Sequence, residues 1–293
     1  PCFDICTESF HNKSLSLSGL VGYTLNRNAQ RYYRPYEGVP PFAIDELGTV
    51  TSKVMSMFAK ETNFVGNLQL DWNHQYGKHG LAAYAGFRYN YFSYDNSDLS
   101  TEYTGVTNDK NPALSAGSGY QDIKGVNDVW KTLQWYGNVD YNYMNRYFAT
   151  VSLMAESNSR FGENADGLDF CGVKWAIFPS VQLGWLMSNE KWFPKNAGID
   201  YLRLNAGFDL SGNDDISNYA ARTSFTAVKY NGTLMGAQLT NIGNDKIKWE
   251  STQKLNFGLQ AYFLNNRLGV NFDYFIHNTK DLLTLKSFSN PIG

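Results

Sequence analysis

Two-residue alternation of apolar and polar side chains, in runs of roughly 10 residues repeated along the chain, most limits what this sequence can fold into. From Ser14 to Leu25 the odd positions are Leu15, Leu17, Gly19, Val21, Tyr23 and Leu25, while the even ones begin with three serines. Phe64, Leu68, Leu70 and Trp72 oppose Asn67, Gln69, Asp71 and Asn73. Leu81, Ala83, Ala85, Phe87, Tyr89 and Tyr91 oppose a face that includes Tyr84, Arg88 and Asn90. Leu133, Trp135, Val139 and Tyr141 oppose Gln134, Asn138, Asp140 and Asn142.

The pattern continues with Tyr147, Ala149, Val151, Leu153 and Ala155, and then with Trp175, Ile177, Val181, Leu183 and Trp185. Leu202, Leu204, Ala206, Phe208 and Leu210 oppose Arg203, Asn205 and Asp209. Leu255 to Phe263 and Leu268 to Ile276 supply two more apolar faces. The reading is about nine strands, each the length of a tilted membrane-crossing strand. Composition agrees: 20 Tyr, 19 Phe, 26 Gly and 30 Asn suit strands and turns better than helices. No run of about 18 apolar residues offers a helical span. A net charge of −2 gives no general attraction to nucleic acid.

The connections separate a membrane barrel from a soluble one. Polar stretches of about 40 residues follow Tyr91 and Ser211, and a medium one covers Ser157–Gly172. Between them lie short links at His74–Gly80, Tyr143–Arg146, Met187–Gly198 and Asn265-Asn266. Strict alternation of long and short connections is the habit of outer-membrane barrels, with external loops at one end and tight turns at the other. Aromatics gather where strands end: Tyr141, Tyr147, Trp185, Trp192, Phe193, Trp130 and Trp249. Rings there suit a membrane interface. The predicted fold is all-β, an antiparallel transmembrane β-barrel. An odd strand count leaves an open edge, which lipid does not tolerate, so residues 1–293 are expected to form part of one larger barrel domain. The competing reading is a secreted β-rich glycan-binding or adhesin module whose apolar faces pack on each other. Exposure of Trp135, Val151 and Leu183 separates the two.

Specific strings then carry a resemblance. Ser157-Asn-Ser-Arg-Phe-Gly162, Ile177-Phe-Pro-Ser-Val181, Gly184-Trp185 and Asn189-Glu-Lys-Trp-Phe193 occur in that order. Leu202-Arg-Leu-Asn-Ala-Gly207, Ser211-Gly-Asn213, Lys248-Trp-Glu-Ser-Thr252, Phe263-Leu-Asn-Asn-Arg-Leu268 and Thr279-Lys-Asp-Leu-Leu283 follow. His11-Asn-Lys-Ser-Leu-Ser-Leu-Ser-Gly19, near the start, resembles the opening of an early strand in the same kind of barrel. The succession resembles SusC/RagA-type TonB-dependent transporters of the Bacteroidetes outer membrane. One departure is an insertion-like stretch within Glu163–Lys174.

The resemblance implies a section of a barrel of about 22 strands, with the plug and the C-terminal strands outside this sequence. It implies uptake of an oligosaccharide or peptide with a SusD-like surface lipoprotein, TonB contact through the plug, outer-membrane lipid around the barrel, and no enzymatic step. The chain opens at Pro1 without an initiator Met or visible signal peptide, which reads as a processed or cut chain.

Lumen-facing candidates for ligand contact are Tyr84, Arg88, Gln134, Asn138, Arg203, Asn205 and Asp209. Arg88 and Arg203 either bind an anionic substrate or pair with Asp71 or Asp209 to keep the wall neutral, and pairing is the expectation. No cofactor is expected. Glu163, Asn164, Asp166 and Asp169, or Asp95, Asp98 and Glu102, could offer oxygens to Ca²⁺ in external loops but lack EF-hand spacing. His74 and His79 lack a third metal ligand, and Asp214-Asp215 and Gly117-Ser-Gly119 lack a catalytic pattern. A Cys2–Cys6 bridge is open, with Cys171 left over.

Overall fold

The computed structural model describes residues 2–12, 14–35, 40–44, 48–50, 52–102, 121–194, 198–230 and 234–284. Its strands are β1 (Cys2–Asn12), β2 (Leu15–Arg34), β3 (Phe42–Ile44), β4 (Gly48–Val50), β5 (Lys53–Tyr76), β6 (His79–Glu102), β7 (Gln121–Tyr143) and β8 (Tyr147–Asn158). They continue with β9 (Leu168–Phe170), β10 (Val173–Leu186), β11 (Ile199–Asn213), β12 (Ser224–Tyr230), β13 (Leu234–Asn241), β14 (Glu250–Phe263) and β15 (Leu268–Lys280). Ten of them lie side by side in the order β1-β2-β5-β6-β7-β8-β10-β11-β14-β15, with β9 added to β10. Neighbours in that path are neighbours in sequence apart from the inserted β3–β4 and β12–β13 hairpins and β9, and the registers from β7 to β15 are antiparallel. Among the described residues β1 and β15 end the path and do not pair with each other.

Two expectations change. The sheet has a tenth strand, β1, because Cys2–Asn12 pairs with β2 although its sequence alternates weakly. Four strands are also far longer than the apolar pattern suggests, running 20, 24, 24 and 23 residues in β2, β5, β6 and β7. Much of the stretch after Tyr91 is strand rather than loop, because β6 continues to Glu102 and β7 starts at Gln121. Backbone pairing continues there with polar side chains on both faces, and hydrophobic periodicity does not register such a strand. The loop after Ser211 likewise contains the β12–β13 hairpin.

The chain divides into two units. The first comprises residues 1–5, 21–65 and 90–130. It contains the β3–β4 hairpin, buried Val54 and Ala59, and a Phe92–Trp130 stack at 5.7 Å. The second comprises residues 6–20, 66–89 and 131–293 and carries the candidate site.

In the second unit the register sorts side chains into rows. Val139, Val151, Val181, Phe208, Leu255 and Ile276 lie directly opposite one another across β7, β8, β10, β11, β14 and β15. The adjacent row on the other face is Asn138, Ser152, Ser180, Asp209, Lys254 and His277. One face is therefore apolar and the other polar. Among the described residues no second sheet covers the apolar one: Trp135, Val151 and Leu183 are 56%, 51% and 53% exposed. Burying a Val, Leu or Phe side chain is worth about 1.5–3 kcal/mol, so a face of such residues requires an apolar solvent. Lipid is that solvent, and a secreted module whose apolar faces pack on each other is not favoured.

The two ends of the second unit differ. Short turns use backbone with positive φ, at Gly77, at Met144 and Asn145, and at Leu264, Asn265 and Asn266. At this end Glu190 is nearly buried, accepts from the Trp185 indole at 3.1 Å and pairs with Arg146 at 3.3 Å. Hydrogen bonds from the Tyr147 hydroxyl and the Trp185 indole, with the Arg146 charge, hold its carboxyl below the usual range against the opposing effect of burial.

At the other end the two loops tie into a knot. Gly162 and Asn164 N–H groups donate to the carbonyls of Ile247 and Asp245, at 3.1 and 2.9 Å. Trp249 meets Phe161 and Phe178 edge-on, and Ala165, Trp175, Ala176 and Phe178 are buried. Arg160 donates to Asn218 and pairs with Asp214 at 3.6 Å, and Asn158 also donates to Asp214. Lys248 holds Asp166 at 3.1 Å and Asp281 at 3.3 Å. The Asp166 hydrogen bond raises the ammonium's pKa against the opposing effect of burial, with Asp281 adding to the rise.

Candidate functional site

The polar face of the second unit carries an open groove of about 650 Å³, lined in part by Gln69, Tyr84, Arg88, Gln134, Tyr136 and Asp209. Its centre is Tyr136 on β7. The Tyr136 hydroxyl lies 2.8 Å from the Asn67 Oδ1 and 3.0 Å from the Gln69 Oε1, both on β5. To reach them the side chain crosses β6, and Gly86 lets it pass: a Cβ there would overlap the tyrosine ring. Tyr84 meets the same ring edge-on at 6.1 Å. The result is an aromatic floor held by the Tyr136 hydroxyl's hydrogen bonding to β5, two strands away.

Charge on this wall is arranged unexpectedly. Arg88 donates through Nε to the Asn67 Oδ1 at 3.4 Å, and its guanidinium lies 5.9 Å from the Tyr136 ring centre. Arg203 donates through Nε to the Asn205 Oδ1 at 2.9 Å, with its guanidinium 4.9 Å from the Phe148 ring centre. Neither forms an ion pair among the described residues. The expected neutralising pairs are absent because other groups satisfy the carboxylates first. Asp71 accepts from the Gln69 amide at 2.8 Å, and Asp209 pairs with Lys254 at 3.6 Å. Asp140 accepts from Asn138 and Thr150, and Glu156 from Gln134 at 2.8 Å.

Of the seven sequence candidates, Tyr84, Arg88, Gln134 and Asp209 line the groove together. Asn138 adjoins it, accepting from Ser152 of the lining at 2.6 Å. Arg203 and Asn205 face the same side but outside the groove, toward the short-turn end, where Asn205 lies opposite Gly184. Tyr136, Met154 and Phe178 also line it and were not anticipated. Their even numbering, shared with Gln134 and Asn138, was the available signal, but an aromatic or Met on a polar face reads as a lapse of pattern.

The other constellations take structural roles. His79 bonds the Tyr141 hydroxyl at 2.8 Å, and His74 stacks on Trp72 and meets Tyr76 at a tilt. Asn164 donates to Asp245, while Asp166 and Asp169 are held by Lys248 and Lys174. Asp95 and Asp98 lie on β6, where odd and even positions point to opposite faces. Among the described residues no three His, Cys, Asp or Glu side chains gather as metal ligands. Gly117-Ser-Gly119 and the side chains of Cys2, Cys6 and Glu102 lie outside the described residues.

The family described as TonB dependent receptor-like, beta-barrel, matches residues 7–293. TonB-dependent receptor P3 of Formosa agariphila is 27% identical over 230 residues, covering 77% of this chain and 22% of that receptor. TonB-dependent receptor SusC of Bacteroides thetaiotaomicron is 26% identical over 168 residues, covering 55% of this chain and 16% of SusC. The chain thus spans about a fifth of the curated relatives it matches. Among solved structures, the RagAB peptide transporter has the same fold, with a TM-score of 0.81 at 22% identity over 96% of this chain and 30% of that one.

Proposed function

We propose, from the premise that this chain belongs to the TonB dependent receptor-like β-barrel family, that it forms part of the wall of an importer for large polar nutrients. Its place is the bacterial outer membrane. The two faces of the second unit carry the reading. One row of valines, leucine, isoleucine and phenylalanine faces outward, and the next row, of Asn, Ser, Asp, Lys and His, faces the lumen. A wall of that kind serves a transmembrane β-barrel with a polar interior.

The free edges of β1 and β15 are completed by further strands, since unpaired backbone groups in hydrocarbon cost several kcal/mol each. The nutrient is an oligosaccharide or peptide, in keeping with the SusC and RagAB relatives. A SusD-like surface lipoprotein captures it over the knotted loops, and TonB acting on a plug domain drives release inward. The wall's amides, hydroxyls and charges bind by hydrogen bonding and perform no covalent step.

The test is extraction of the native protein from outer membranes in detergent. The expected result is a polypeptide far heavier than 33.1 kDa that co-purifies with a lipoprotein, and a deletion strain that loses uptake of one polar nutrient. A protein that stays soluble and monodisperse without detergent overturns the proposal.

A further inference from the structure

The polar groove contains an arginine whose charge the protein leaves unanswered. Arg88 is exposed, and only its Nε has a partner among the described residues, at the long distance of 3.4 Å to a neutral amide. Its Nη nitrogens, the atoms of the guanidinium fork that grip a carboxylate in parallel, have no partner there. The guanidinium lies beside the Tyr136 ring, which Asn67 and Gln69 fix in place over Gly86. The groove's own acid, Asp209, is answered by Lys254 on β14. The carboxylate of Glu156, on the neighbouring strand, is engaged by Gln134. Asp209 and Lys254 balance each other, whereas Arg88 binds only a neutral amide, so its guanidinium has no carboxylate partner among the described residues.

The geometry points to an anion-binding subsite in this groove, in which the Arg88 fork grips a carboxylate of the transported ligand while Tyr84 and Tyr136 hold the adjacent ring or chain. The inference rests on the import reading for its ligand and names that ligand's class: a carboxylated oligomer. Arg rather than Lys suits the position, because a planar fork beside an aromatic ring presents two parallel N–H bonds to a carboxylate. The carboxylate can come from a uronic acid unit or from the end of a peptide, since both present the same planar pair of oxygens.

Equilibrium binding to the full-length protein in detergent tests this without any transport step, so it can fail while the import reading stands. Four probes are compared: trigalacturonate, its methyl ester, N-acetyltriglycine, and N-acetyltriglycine amide. At least one acid is expected to bind about tenfold or more tighter than its uncharged counterpart, the size of a lost charge-assisted hydrogen-bond pair. A preference confined to the sugar acid identifies a uronate ligand, and one confined to the peptide acid identifies a terminal carboxylate. R88Q is expected to erase the preference while leaving the uncharged counterpart's binding intact, and R88K to restore it in part. No acid preference in the wild-type protein overturns the inference, and so does an acid preference that R88Q, running as a folded barrel on unheated gels, leaves unchanged.

Discussion

The strand wall and the loop knot of the second unit obtain their order from different sources. The wall leaves its largest apolar residues uncovered, with Trp135, Leu153 and Phe257 each at least half exposed, and is held by strand-to-strand backbone bonds. The knot buries Ala165, Trp175 and Ala176, satisfies loop backbone groups across the two loops, and joins its charges in pairs. It is a small water-soluble core built at the end of a lipid-solvated sheet. Substitutions should therefore act on the two regions by opposite rules: polarity matters on the wall's outer face, and volume matters in the knot.

The largest expected effect lies in the knot. G162V places side-chain atoms on the Asp245 carbonyl and should cost about 4 kcal/mol of local stability. Protease should then cut within 157–172 or 211–249 while the unheated barrel band persists on gels. Loss of the band as well would show that knot and wall melt as one. On the wall, V151R puts a charge into lipid and should cost about 3 kcal/mol, against less than about 1 kcal/mol for S180R on the polar face. Urea unfolding in detergent or liposomes measures both, and equal costs would break the assignment of faces.

W249A removes the ring joining Phe161 to Phe178 and should cost about 2 kcal/mol, because the residue is only half-buried. Hydrogen exchange should show the change in the loops alone. The smallest effects are pH-dependent and of opposite sign. Glu190, lowered in the folded state, contributes stability above the unfolded carboxylate pKa that is lost as pH falls through its lower folded value. Lys248, raised in the folded state, contributes stability below the unfolded lysine pKa that is lost as pH rises through its higher folded value. Relative to the intrinsic rate at each pH, amide protection at the 187–190 turn should fall in acid, and protection in the knot should fall in alkali. E190Q should remove the acid response and leave the alkaline one.

The sequence by itself determined the sheet and its two faces. A strand's side chains alternate strictly, so the placement of Val139, Val151, Val181 and Leu183 on one side is written directly in the numbering. The short turns were legible for a related reason, since few residue types accept positive φ and Asn265-Asn266 are among them. Four groove residues could be read as lumen-facing from the same parity. What only the tertiary structure decided is which charges meet. Asp209 finds Lys254 and Gln69 takes Asp71, so the pairing expected for Arg88 and Arg203 does not form. Tyr136 reaches across Gly86 to a strand 67 residues earlier, and the loops after Ser157 and Ser211 fold on each other. These outcomes depend on register and on competition among side chains from separate strands, and periodicity within one strand contains no information about its neighbour's alignment.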